Sequence, residues 1–404
     1  MLFRLEIENF YSIRDRQVLD LRVSDKSRKL PERFTPIHPG SHERVPKVMA
    51  TFGANAAGKT NLLRAVAFLA WFVRDSFQLQ PEAGIPIIPF QDAEWSGRPT
   101  RIAASVGGRT DLEGQDELSA TYGTYEYELI VAHRTGGPSY VAAESLRHRM
   151  DGKGKSVRLF QRTARGDILD GPNFPLAHYR SIVGKVRSNA SLISTLAQFD
   201  FAPAVALRNA SRTVVTNLFV VQQNLSDEQL IGMLAGNPSL LESLNREIPR
   251  IDLGVRNLRV ESDGLRPIAK FEHEGLSTPI VWALESHGTQ SFVRSFPLIA
   301  SALRTGGLAL IDELDASLHP LMLSEIAQWF YDTSRNPLNA RLWLTCQNPA
   351  FLEQLEKEEV IFCEKDRHGR TRVYGLQDIK NVRRIDNYYR KYLSGAYGAV
   401  PIFG

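Results

Sequence analysis

Alternation of apolar and polar residues at period two opens the chain. It runs through LFRLEIENF (2–10) and again through RQVLDLRV (16–23), with the polar turn YSIRD between them, and predicts a hairpin. After a loop containing Pro and His (31–46), the apolar run KVMATF (47–52) reads as a strand that enters GANAAGKT (53–60). From Asn61 the stretch NLLRAVAFLAWFVRDSF has helical spacing and no breaker. Residues 85–180 hold short alternating runs such as TYEYELIVA (124–132) and SYVAAESLRHR (139–149), separated by glycine-bearing turns, which predicts antiparallel sheet. Residues 189–250 turn helical, with Ser226 and Asn237 as caps of two of the helices.

After Pro249 a second β stretch, LGVRNLRVESDGLRPIAKFEHEG (253–275), leads through PIVW (279–282) to the small polar break ALESHGTQSF (283–292). Beyond it the pattern alternates: helix 290–304, strand LALIDE, helix 319–334, strand ARLWLTCQ, helix 349–357 and strand VIFCEKD. Such alternation predicts an α/β fold with a parallel or mixed sheet covered by helices. The organisation expected is a core in two halves, 1–84 and 251–404, interrupted by a β-rich and helical insertion, 85–250. No heptad pattern persists over three or four repeats, so no long coiled coil is expected.

Composition narrows the class. With 404 residues, 43% apolar and 23% charged, the chain has the make-up of a globular protein. No window is apolar enough for a membrane span and the start lacks the features of a signal peptide, so a cytoplasmic protein without membrane partners is expected. The two cysteines, Cys346 and Cys363, fit a reducing compartment and argue against both a disulfide framework and a zinc site. A net charge of +4 permits nucleic-acid binding without requiring it.

GANAAGKT, Gly53 to Thr60, satisfies G-x-x-x-x-G-K-[ST] between a strand and a helix. In that context the backbone N–H groups from Asn55 through Ala57 and Gly58 to Thr60 cradle phosphates at a helix N-terminus. Lys59 balances the β/γ charge of ATP and the Thr60 hydroxyl faces Mg²⁺. LALIDELDASLHP (308–320) supplies the acidic partner: Asp312 at the strand end reaches the Mg²⁺ shell, and Glu313 orients and deprotonates the attacking water.

These elements carry a resemblance. LEIENFYSIRDRQVLDL, GANAAGKTN with Asn61, ESHGTQS and IDELDASLHP together resemble the SMC/RecF branch of the ABC-type ATPases, and within it the AAA-type, OLD-like ATPases. IPFQDAEW, YVAAESL and YLSGAYGAVPIF are similar to that subgroup too, so the likeness spans nearly the whole chain. It implies an ABC-type P-loop NTPase head with a mixed sheet. It makes Ser286, His287 and Gly288 the signature motif, which covers the ATP of a second copy in a head-to-tail homodimer or higher homo-oligomer. It also assigns Asp315, Ser317 and His319 to the D-loop near that interface, and Gln91 to the sensing of Mg²⁺. Where the family carries a His after the next strand, in a T-x-H pattern, this chain reads LTCQ, and Gln347 takes the place. An amide hydrogen-bonds but neither carries positive charge nor shuttles a proton, so either slower hydrolysis or a switch that rewards ATP binding more than turnover is expected.

Two basic clusters leave alternatives open. Arg147, Arg149, Lys153, Lys155, Arg158, Arg162 and Arg165 against Asp151 read as a hairpin with a basic tip, either solvated or touching DNA. In the tail, Tyr388, Tyr389 and Tyr392 among Lys380, Arg383, Arg384, Arg390 and Lys391 either dock on a domain or stack on bases. By resemblance the function is regulation of a separate effector, a nuclease first of all, in prokaryotic defence against phage, as in Septu-, PARIS- or abortive-infection-type systems. The sequence itself has no nuclease signature. The alternatives are a RecF-like DNA-binding repair ATPase and an ATP-dependent scaffold with little turnover.

Overall fold

The computed structural model describes residues 1–23, 30–112, 120–134, 136–151, 154–218, 220, 226–252, 254–262, 264, 266–316 and 318–401. The N-terminal alternation forms the expected hairpin of β1 (Leu2–Glu8) and β2 (Gln17–Asp20). A short ribbon, β3 (Phe34–Pro36) and β4 (Arg44–Pro46), leads into β5 (Val48–Phe52) and α1 (Lys59–Asp75). The antiparallel run follows as β6 (Thr100–Arg109), β7 (Tyr122–Arg134), β8 (Gly137–Met150), β9 (Val157–Thr163) and β10 (Ile168–Asp170). Three helices, α2 (Arg180–Val183), α3 (Leu192–Leu196) and α4 (Ala202–Ser211), precede β11 (Val214–Thr216).

Helices α5 (Asp227–Ala235) and α6 (Pro238–Ile251) begin at the two expected caps: Ser226 forms a capping box with Gln229, and Asn237 accepts from Leu240 N. Pro249 does not end α6, which runs on to Ile251. The second β stretch gives β12 (Val255–Ser262), β13 (Pro267–His273) and β14 (Ile280–Val281), an antiparallel sheet in that order. Then come α7 (His287–Thr305), β15 (Leu308–Ile311), α8 (Pro320–Tyr331), β16 (Arg341–Thr345), β17 (Val360–Lys365), β18 (Thr371–Gly375) and α9 (Tyr388–Leu393). The helix expected over 349–357 is a shorter 3₁₀ segment, Pro349–Gln354, started by the Asn348 side chain. Among the described residues no helix exceeds the 19 residues of α7, and none is long and apolar enough to cross a membrane.

Two large sheets organise the fold. One has seven strands in the order β10-β9-β8-β7-β6-β1-β2 and is antiparallel throughout. The other has six strands in the order β11-β15-β16-β5-β17-β18, parallel except for the last pair. Segment 85–250 lends strands to both: β6 pairs with β1, and β11 pairs with β15.

The parallel strands explain their own sequences. β5, β15 and β16 are buried at every position, so they read as unbroken apolar runs. Alternate residues serve two cores: Met49, Leu308, Leu310 and Trp343 pack on the side of α1, whereas Val48, Ala50, Ala309, Ile311 and Leu342 pack with α7 and α8. On α1, Leu62, Leu63, Val66, Phe68, Leu69 and Phe72 face the first core. Each such burial contributes about 1.5–3 kcal/mol, enough to fix the helix whose N-terminus builds the site below.

Both open alternatives about charge are narrowed here. Tyr388 and Tyr392 of α9 are buried, with the Tyr392 ring stacked on Phe362 at 5.4 Å, so these tyrosines dock. In the basic hairpin Arg162 turns inward instead, donating to Ala190 O and Arg187 O, and is 4% exposed. Lys153 lies outside the described residues, as does Ser317.

Candidate phosphate and metal site

The site forms where the parallel strands end, the usual place for ligands in open α/β sheets. After β5 the chain turns through Gly53 to Gly58 into α1. Two glycines are required by what surrounds them. A Cβ on Gly53 would stand 2.2 Å from Cys363 O, and one on Gly58, whose φ is +99°, would stand 2.3 Å from Thr371 Oγ1. The loop is held from three directions: Ala54 N donates to Ala399 O, Thr371 Oγ1 donates its one proton to Ala57 O, and the Ser12 hydroxyl donates to Thr371 Oγ1. Thus the N-terminal turn, β18 and the tail all brace the loop. Asn55 is exposed at its crest, and Ala56 takes a φ of +60°.

Helix α1 starts without a side-chain cap and without an acidic residue in its first turn, so no side chain of the helix itself compensates the partial positive charge of its N-terminus. Lys59 adds a full charge there. It is 7% exposed, donates to Gly53 O at 2.8 Å and Ala54 O at 3.1 Å, and has no carboxylate partner among the described residues. A buried ammonium held only by carbonyls, at an uncapped helix N-terminus, fits a polyphosphate.

The acidic half comes from β15. Asp312 accepts from Thr60 Oγ1 at 2.9 Å and from Thr345 Oγ1 at 2.6 Å. A carboxylate beside a hydroxyl at a phosphate cradle is the hard-oxygen donor set that Mg²⁺ takes, so Thr60 and Asp312 fit that ion. Glu313 follows with a φ of +53°, a backbone state that costs a non-glycine residue on the order of 1–3 kcal/mol. Its N–H donates to Thr345 Oγ1 at 2.8 Å, and its exposed carboxylate accepts from Gln347 Nε2 at 3.0 Å. Gln347 is placed in turn by Asp315, whose Oδ2 accepts from Gln347 N and Asn348 N at 2.7 Å each. Cys346 beside it is buried: burial first, and then the Asp315 carboxylate, push its thiol far above the ordinary range.

Other residues singled out in the sequence stand apart. Asn61 turns its side chain to Ser12 Oγ at 2.8 Å, away from the acidic pair. Gln91 is exposed with its amide on Pro89 O, and no described hydrogen bond joins it to Thr60 or Asp312. Ser286 caps α7, accepting from Thr289 N at 3.1 Å; with His287 it is exposed, and Gly288 is half-buried. Its backbone N–H donates to Glu285, whose other carboxylate oxygen meets His273 Nε2 at 2.7 Å. His319 caps α8, its ring accepting from Leu321 N.

Sequence reasoning passed over Thr345, Ser12, Thr371 and Asn217. Thr345 carried a signal, a hydroxyl at the end of a buried strand two residues before Gln347. Asn217 has both its amide groups on the main chain of Asp312, one accepting from Asp312 N at 2.8 Å and one donating to Asp312 O at 2.9 Å.

Residues 133–353 match the family described as "AAA domain, putative AbiEii toxin, Type IV TA system". No curated protein matches the chain. Among solved structures the chain is similar to an Smc head bound to the C-winged helix domain of ScpA, with a TM-score of 0.44 and 12% identity over 93% of this chain and 97% of that one. The SMC head domain from Thermotoga maritima gives 0.40 and 12% over 93% and 98%. The Smc head with an extended coiled coil from Pyrococcus furiosus, bound to the C-terminal domain of ScpA, gives 0.40 and 11% over 93% and 96%.

Proposed function

The chain belongs to the AAA domain family matched over residues 133–353, and on that footing we propose that it binds ATP with Mg²⁺ and hydrolyses it. One observation carries this reading above the others: buried Lys59, without a counter-charge among the described residues, stands at the N-terminus of α1 beside the linked pair Thr60 and Asp312. Backbone N–H groups of Asn55 to Thr60, between Gly53 and Asn61, would hold the phosphates, and Lys59 would neutralise them. Bound to Thr60 and Asp312, Mg²⁺ would supply charge neutralisation on the phosphate oxygens. Glu313 is the general base, placed by Thr345 and Gln347.

Each site is completed by a second copy of the chain. Ser286 to Gly288 make their own contacts at the exposed start of α7, with Leu284 beside them 78% exposed, which supports a role in covering another copy's nucleotide. Gln91 is assigned to sensing the Mg²⁺ site on resemblance, and 85–250 is an elaboration of the ATPase core. The ATP cycle acts on a separate effector, a nuclease first of all, in anti-phage defence within the cytoplasm; the family's description as a type IV toxin–antitoxin protein supports a conflict role of this kind. DNA is a further candidate partner, as a RecF-like repair ATPase would require. Little-turnover scaffolding is the second reading, and the observation favouring it is the Gln347 amide on Glu313.

Isothermal titration with MgATP tests the primary claim. The parent binds and Lys59→Ala does not; equal affinity in the two ends this reading.

A further inference from the structure

We propose that Asn217 is a positioning residue for hydrolysis, a proposal that rests on the ATPase reading above. It stands immediately after β11, the edge strand of the six-stranded sheet, which pairs in parallel with β15 through Val214–Leu308, Val215–Ala309 and Thr216–Leu310. The strand pairing stops there, two residues before Asp312. Past that point the Asn217 side chain takes over: its carbonyl accepts from Asp312 N at 2.8 Å and its NH₂ donates to Asp312 O at 2.9 Å. One amide thereby stands in for a peptide group and carries the ladder on to the residue that matters.

Residue type is decisive. A carboxylate has no donor for Asp312 O, and a single hydroxyl oxygen cannot reach both main-chain groups. On the opposite flank Thr345, at the end of β16, holds the Asp312 carboxylate and the Glu313 N–H. Between these two grips the chain leaves the sheet and enters the left-handed conformation of Glu313. Such a backbone state persists only where its surroundings over-determine it. Asn217 therefore sets the direction of Glu313 without touching it. Strand β11 also lies against both α1 and α7, the helices that begin at Lys59 and after Ser286, so the grip is placed between the two halves of the proposed site.

The test uses the full-length chain, with Asn217→Ala and Asn217→Asp beside the parent. Hydrogen–deuterium exchange on the protein without nucleotide reads the grip itself. The amides of Asp312 and Glu313 exchange faster in both variants, while those of β16 do not. ATP affinity, measured with a fluorescent ATP analogue, stays within about threefold of the parent, and turnover per ATP-binding site falls at least about tenfold. Counting turnover per binding-competent site removes any misfolded fraction. If exchange is unchanged, there is no grip. If exchange rises while turnover per site holds, Asn217 merely completes a sheet. A parent that binds ATP without cleaving it overturns the hydrolytic reading first, and with it the catalytic half of this proposal, whatever the exchange data say of the grip.

Discussion

Gln347 donates its side-chain amide to Oε1 of Glu313 at 3.0 Å, from a backbone position fixed by Asp315. Both side chains are exposed, so this bond competes with water and contributes only about 0.5–1.5 kcal/mol. Its value lies in direction: it fixes one carboxylate oxygen and leaves the other to face solvent. A neutral amide neither shifts charge nor moves a proton, which sets an upper bound on how far this pair can activate water.

Glu313→Gln keeps the shape and removes the proposed base. Turnover is expected to fall by about 10²- to 10⁴-fold while ATP binding persists. Phosphate release beside equilibrium binding checks both halves, and parental turnover in the variant removes the assigned role.

Gln347→His places a titratable ring where the amide now stands. If the amide is what slows the cycle, turnover rises by about three- to tenfold at neutral pH, equivalent to roughly 1 kcal/mol of barrier. A rate equal to the parent's, with parental ATP affinity, shows that the amide is not limiting.

Thr345→Val preserves volume but strips the hydroxyl that donates to Asp312 and accepts from Glu313 N. Thr345 is fully buried, so a Glu313 N–H left unpaired costs about 1–3 kcal/mol of stability. Denaturant unfolding reads that loss. Turnover is expected to fall further than ATP affinity does, because the groups released are those proposed to serve hydrolysis more than phosphate binding.

Gly58→Ala asks the loop to accept a Cβ at a φ of +99° and 2.3 Å from Thr371 Oγ1. The loop must move, at a cost of about 1–3 kcal/mol, and ATP affinity drops at least about tenfold with it. Calorimetric titration and a thermal melt measure the two effects separately.

Much of this was legible in the sequence because the motifs are local. Gly53 to Thr60 is one continuous turn between a strand and a helix, and Asp312 and Glu313 end an apolar run, so spacing alone placed both motifs at strand ends, where the structure joins them through Thr60 and Asp312. Period-two alternation likewise gave the hairpin and the antiparallel sheet. What spacing cannot give is contact between distant segments. Asn217 reaches Asp312 across 95 positions, and Thr371 meets Ser12 across 359. Arg162 reads with the surface charges because a strand pattern does not reveal which face is covered; the segment ahead of α3, through Arg187 and Ala190, covers that one. The 3₁₀ turn over 349–354 reads as a longer helix because Pro349 and the apolar Phe351 and Leu352 mimic a helix start, whereas Leu355 already returns to extended backbone.

The claim on which the proposed function depends is that each nucleotide is enclosed by two copies, and mixing inactive variants tests it most directly. Lys59→Ala lacks the cradle's charge but keeps Ser286, while Ser286→Arg keeps Lys59 but blocks the covering face. Each alone is expected to be inactive. Mixed in equal amounts, about half of the dimers are hybrids with one intact site each, so about a quarter of parental ATPase activity should return. No recovery on mixing, together with a parental rate per subunit independent of protein concentration, contradicts the account.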